Sequence, residues 1–244
     1  MPSLFPEAIL DAIPAELREV PEKVRTLTGI AVVAAEFDDG FVRANPDFAR
    51  ASAVLDIDQH HSSITIRYSR DALTPRIASH ELIHLKRNVL ESAPKFFARV
   101  GGDHGQAQTV LLLENALEHL FVVPEEIAAH TDSEAWWVKE CAEAIRRADG
   151  HGFTLALHWL FLRQVLTHHE DLAHDCMERL NRMPEFARIA AHLEQKIRKA
   201  FPDKAAMQRI LLGVLSPTIR ERITVARYRI RDGRLHTEKL ALPD

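Results

Sequence analysis

Apolar residues recur along the chain at two spacings, and the switches between them mark the predicted elements. From Pro6 to about Thr28 apolar and charged residues alternate at helical spacing, and Pro14 and Pro21 break the run, which predicts two short helices. Gly29 to Phe37 is almost continuously apolar and predicts a buried strand, ended by the turn signal Asp38-Asp39-Gly40. Ser62 to Ser69 alternates apolar and polar residues with β-branched side chains, so it predicts a strand with one face in the core. Between these two strands, residues 41–55 fit either a short helix capped by Asn45-Pro46-Asp47 or a loop.

The pattern then turns helical. Thr74-Pro75 reads as an N-cap followed by proline at the first helical position, and Ile77, Leu82, Leu85 and Val89 form a core-facing stripe behind it. Ser92-Ala93-Pro94 stops that helix, and the glycine-rich stretch from Gly101 to Gly105 reads as a flexible loop. A second helix runs from Gln106 to Phe121. Beyond Pro124 the spacing predicts helices over 134–148, 153–166, 184–200 and 204–215, the second of them apolar enough to be the centre of a bundle. Near the end, Asp232-Gly233 between two alternating runs predicts a β-hairpin. The fold class is therefore α+β, predominantly helical, with a small sheet. Residues 1–130 form one expected domain and 131–244 a helical C-terminal region, unless the two make one continuous domain.

Chemistry concentrates on the helix after Thr74. His80-Glu81-Leu82-Ile83-His84 fits H-E-x-x-H, which on a helix aims two imidazoles one turn apart at the same spot. A tetrahedral catalytic Zn²⁺ takes three protein ligands and keeps the fourth position for water, so His80 and His84 supply two, and Glu81 is placed as general base. With 14 histidines in the chain the pattern alone is weak, and the independent helix prediction strengthens it. The alternative is two surface histidines on an amphipathic helix.

Candidates for the third ligand lie on the helix from Gln106. Glu114 and Glu118 share a face among leucines, and burying two carboxylates there calls for a counter-charge that a divalent cation would supply. Glu114 is the expected ligand, and Glu118 the acceptor that orients a ligand histidine through its free ring N–H, with the two roles interchangeable. His119, five residues past Glu114, points away from that glutamate's face. Tyr68, His104 and His158 are the candidates for a donor to the tetrahedral oxyanion. Because the strand Ser62–Ser69 ends just before the motif helix, it is also a candidate edge on which an extended peptide substrate could pair, against the alternative of an ordinary sheet strand.

Composition narrows the setting. Net charge is −4 with the histidines neutral, so no global basic field points to nucleic acid. Arginines from Arg220 to Arg234 make the C-terminal end locally positive, as a solvated hairpin face or a docking edge. The two cysteines, Cys141 and Cys176, lie far apart in predicted helices, which suits a reducing compartment. The N-terminus lacks the pattern of a signal peptide and no apolar run reaches membrane-spanning length, so a cytoplasmic protein is expected, with a peptide or protein substrate and no membrane partner. A second histidine-rich stretch, His168, His169 and His174, does not place His169 and His174 on one helical face and reads as a solvated helix junction.

On His80, Glu81, His84 and Glu114, with Glu118 four residues on, the chain resembles the gluzincins, zinc metallopeptidases with H-E-x-x-H on one helix and a glutamate ligand on a later one. Several such families carry aspartate where this sequence has Glu118. The segment from Glu114-Asn115-Ala116 to Pro124 is also faintly similar to the ImmA/IrrE-like intracellular metallopeptidases, with the glutamate shifted by one residue and no helix-turn-helix domain evident. The resemblance spans about residues 60 to 125. It implies a zincin-like core and zinc-dependent hydrolysis of a peptide bond in an intracellular protein. Three other classes fit the sequence: a metal-dependent hydrolase of a non-peptide bond, a helical interaction module and an inactive zincin scaffold.

Overall fold

Proline placement shapes the N-terminal segment. The computed structural model describes residues 4–44, 51–58, 63–99 and 104–241, and the structural statements here concern those residues. Helices α1 (Glu7–Asp11) and α2 (Ala15–Arg18) each begin directly after a proline, Pro6 and Pro14. Helix α3 (Val20–Thr28) carries Pro21 in its first turn. An N–H at that position has no partner within the helix, so proline is tolerated there, and the segment forms three helices where two are expected. Gly29 ends α3 at φ 70°, a left-handed conformation that glycine adopts without a Cβ clash, and its N–H donates to the Arg25 carbonyl at 2.8 Å.

Strand β1 (Val32–Glu36), helix α4 (Asp39–Ala44), β2 (Ala53–Asp58) and β3 (Ser63–Tyr68) follow. The ambiguous run from Phe41 is thus the end of a helix and the start of a strand, and the cap expected at Asn45-Pro46-Asp47 lies outside the described residues. In the sheet, β3 is central: it pairs in parallel with β1, Val32 opposite Ile64, and antiparallel with β2, Leu55 opposite Ile66. Ile64 and Ile66 are buried accordingly. The expectation that this strand offers an edge to a peptide is therefore corrected, since both its sides are taken. Strand β1 is itself at the margin and half open, with Val33 53% exposed, instead of fully buried as its apolar run suggests.

Helix α5 (Pro75–Leu85) starts as predicted. The Thr74 hydroxyl accepts from the Ile77 N–H at 3.2 Å, Pro75 occupies the first turn, and Leu82 and Leu85 are fully buried. The helix packs on β2 and on α1, α2 and α3. It widens at its end into a π-helical turn, Lys86–Leu90, where the Glu91 N–H reaches the Lys86 carbonyl.

After β4 (Lys95–Ala98), the long helix α6 (His104–Ala129) is followed by α7 (Ser133–Arg147), α8 (Gly152–Gln164), α9 (Glu170–Asn181), α10 (Pro184–Ala200), α11 (Lys204–Gly213) and α12 (Pro217–Arg220). Helix α8 is the central one, packing on α6, α7, α9 and α10 with Leu155, Leu157, Leu160 and Leu162 buried. At its start Gly152 is required for space, because a Cβ there would fall 2.1 Å from the Phe186 ring on α10. Strands β5 (Ile223–Arg231) and β6 (Arg234–Lys239) form the predicted hairpin, with Asp232 at φ 52° and Gly233 at φ 68° as a type I′ turn requires. The second sheet has the order β4-β5-β6.

The chain is thus α+β and mostly helical, with two small sheets. Its described residues divide into two units, one from Met1–Lys95 with Ala226–Leu240 and one from Phe96–Val225 with residue 241. The boundary expected near residue 130 falls inside the second unit, just past the end of α6. No helix among the described residues is long and apolar enough to cross a membrane.

Candidate metal centre

On α5 the four-residue spacing does what helical geometry demands. His80 and His84 are both half-buried, their rings lie 4.7 Å apart at 74°, and their Nε2 atoms face each other at 3.0 Å. Two nitrogens bound to one zinc at tetrahedral angles stand about 3.3 Å apart, given Zn–N lengths of about 2.0–2.1 Å. The pair is thus within a few tenths of an ångström of chelating geometry. Glu81, between them in sequence, is buried at 6% exposure, and Leu82 and Ile83 behind it are fully buried.

The two glutamates on α6 share one ammonium. Glu114 accepts from Lys204 Nζ at 2.7 Å and from the Phe96 N–H at 2.8 Å, and Glu118 pairs with the same ammonium. All three side chains are buried, at 6%, 1% and 4% exposure for Glu114, Glu118 and Lys204. The argument that two buried carboxylates need a cation holds, and Lys204, at the first turn of α11, supplies one.

His119, the other candidate on α6, is half-buried and its ring meets that of Trp137 at 5.2 Å and 65°. Five residues turn α6 by about 140°, so whichever face carries Glu114 does not also carry His119.

The other candidates fall in different places. Tyr68 ends β3 and its ring meets the Phe5 ring edge-on, 6.3 Å away. His104 opens α6, and its side chain and residues 100–103 before it lie outside the description. His158 is on α8, where burial pushes its pKa down to about 4. In the second histidine-rich stretch, His169 meets Glu134 at 2.9 Å and His174 stands 3.6 Å from Glu178, as expected of a solvated junction.

Cys141 and Cys176 are buried and free, and burial pushes both thiols up to about 12, so neither is a nucleophile near neutral pH. At the positive C-terminal end, Arg227, Arg229 and Arg231 share one carboxylate, Glu238 across the hairpin. The Arg227 hydrogen bond, then that of Arg229, holds the Glu238 carboxyl down at about 2.

Compared with protein-family models, with curated proteins and with solved structures, the chain shows no significant match.

Proposed function

We propose that this protein is a zinc-dependent hydrolase of a peptide bond, with His80 and His84 as ligands and Glu81 as general base. The observation that carries this reading is the convergence of the two H-E-x-x-H imidazoles on α5, whose Nε2 atoms face each other at 3.0 Å. Three protein ligands and an open fourth position are the mark of a catalytic zinc site, whereas structural sites close all four. Neutral imidazole suits zinc better than it suits magnesium or calcium, which prefer oxygen. A zincin-like core, with β3 leading into the H-E-x-x-H helix α5, belongs to the same proposal.

A zinc ion there would polarise the scissile carbonyl and lower the pKa of its water. Glu81 accepts the proton of the attacking water and passes it to the departing amine. The buried wall of Leu82 and Ile83 keeps the backbone of α5 fixed, so that the two imidazoles stay aimed at one point. Cys141 and Cys176, both free, fit action in a reducing compartment.

The test is elemental analysis of the purified protein, paired with cleavage of a peptide library. One zinc per chain, lost in His84→Ala, together with cleavage that Glu81→Gln abolishes, is the expected result. A chain that takes up no metal after incubation with zinc would sink the proposal. Zinc binding with hydrolysis of esters and of no peptide would move the reading to a non-peptide substrate.

A further inference from the structure

The second unit contains a pocket of about 240 Å³ lined by residues of α6, α7 and α8. Its aromatic wall is ordered by contacts between rings. Trp137 stands at 89° to Trp136 with centroids 4.8 Å apart, at 65° to His119 at 5.2 Å, and at 47° to Phe161 at 5.6 Å. The Trp137 indole N–H donates to the buried carboxylate of Glu126 at 3.2 Å, which anchors the ring that the other three surround. Rings set at such angles present both faces and edges, the two surfaces that an entering aromatic ring prefers to meet.

Of the polar side chains on the wall, His158 is the informative one. His158 lines the pocket and has no hydrogen-bond partner among the described residues. With its pKa pushed down to about 4 it is neutral at pH 7, offering one donor and one acceptor. A half-buried imidazole in apolar surroundings is stabilised by a partner, and a hydroxyl on an entering ring supplies one. Glu140, also on the wall, disfavours an anionic guest.

We propose that this pocket binds an aromatic ring carrying a hydroxyl group, with the ring against Trp136, Trp137 and Phe161 and the hydroxyl bonded to His158. A tyrosine side chain of the peptide substrate carries such a ring, an extension that rests on the hydrolase reading. The pocket itself does not.

The experiment separates the two. The intact zinc-loaded protein is titrated with N-acetyl-tyrosinamide, N-acetyl-phenylalaninamide and N-acetyl-leucinamide, following the indole N–H resonances of Trp136 and Trp137. Tyrosinamide is expected to bind about tenfold more tightly than phenylalaninamide, the difference one hydrogen bond makes, and leucinamide more weakly still. Ala144→Phe, which fills the pocket, should remove all binding, and His158→Leu should reduce tyrosinamide to the level of phenylalaninamide. Trp136→Leu, a gentler change, should erase the aromatic preference.

Equal binding of the three amides, or shifts that survive Ala144→Phe in a folded protein, would overturn the pocket assignment. Turnover is scored apart from binding. Indole shifts with the expected order and no peptide cleaved leave the pocket standing and remove hydrolysis. Cleavage of peptides without preference for tyrosine, and without indole shifts, removes the pocket assignment and leaves the hydrolase.

Discussion

Lys204 and Glu118, 86 positions apart in sequence, form an ion pair that is closed to solvent on both sides. Glu114 shares the same ammonium at 2.7 Å, so one lysine on α11 holds two carboxylates a turn apart on α6. Removing the cation takes the ammonium away from two buried acids. Lys204→Met should therefore lower unfolding stability by about 3–5 kcal/mol, the range for breaking a buried pair. Urea denaturation checks this. A second change, Glu118→Gln in the Lys204→Met background, should recover part of the loss, because it removes one of the stranded charges.

The same pairing makes a prediction about metal. Glu114→Gln keeps an acceptor for only one of the two donors, the Phe96 N–H and Lys204, because its amide nitrogen cannot accept; it should retain zinc at wild-type stoichiometry, although its stability falls. His84→Ala should lose zinc affinity by several orders of magnitude while remaining folded, since His84 is only half-buried. Elemental analysis and competition with a chelator measure both. Zinc lost in Glu114→Gln would instead make Glu114 a ligand.

Much of this site was legible along the chain, and the part that was not has a physical reason. The α5 helix, its Thr74 cap and the converging His80 and His84 follow from local spacing, because an i, i+4 relation is fixed by the helix alone. The hairpin at Asp232-Gly233 is local in the same sense. Nothing local to α6 distinguishes a glutamate that faces a metal from one that faces a lysine 90 residues later, so the Lys204 partner of Glu114 is not legible in the sequence. The central position of β3 depends on β2 and on the return of β1, both non-local pairings.

Glu81 can be separated from the ligands by its effect on turnover alone. Glu81→Gln should bind zinc as the wild type does and reduce kcat by roughly 10²–10⁴-fold, the usual contribution of a positioned general base. Glu81→Asp, which retracts the carboxylate, should keep part of the rate. Loss of zinc in Glu81→Gln would instead make this buried residue a structural support of α5 and remove its role in proton transfer.

His158 gives the protein a pH-dependent stability of known sign. Burial lowers its folded pKa from 6.5 to about 4, so as pH falls below 6.5 the unfolded chain takes up a proton at this position that the folded chain refuses. Stability contributed by this group is complete above pH 6.5, declines as pH falls towards 4 and is constant below that. Over the whole window the loss is up to about 3 kcal/mol, from about 1.4 kcal/mol per pH unit. His158→Leu removes the titration and should flatten the unfolding free energy against pH within that window, relative to the wild type measured alongside. Parallel curves for the two proteins would show that the imidazole titrates normally in the fold, and would deprive the pocket of its neutral hydrogen-bonding group below pH 6.5.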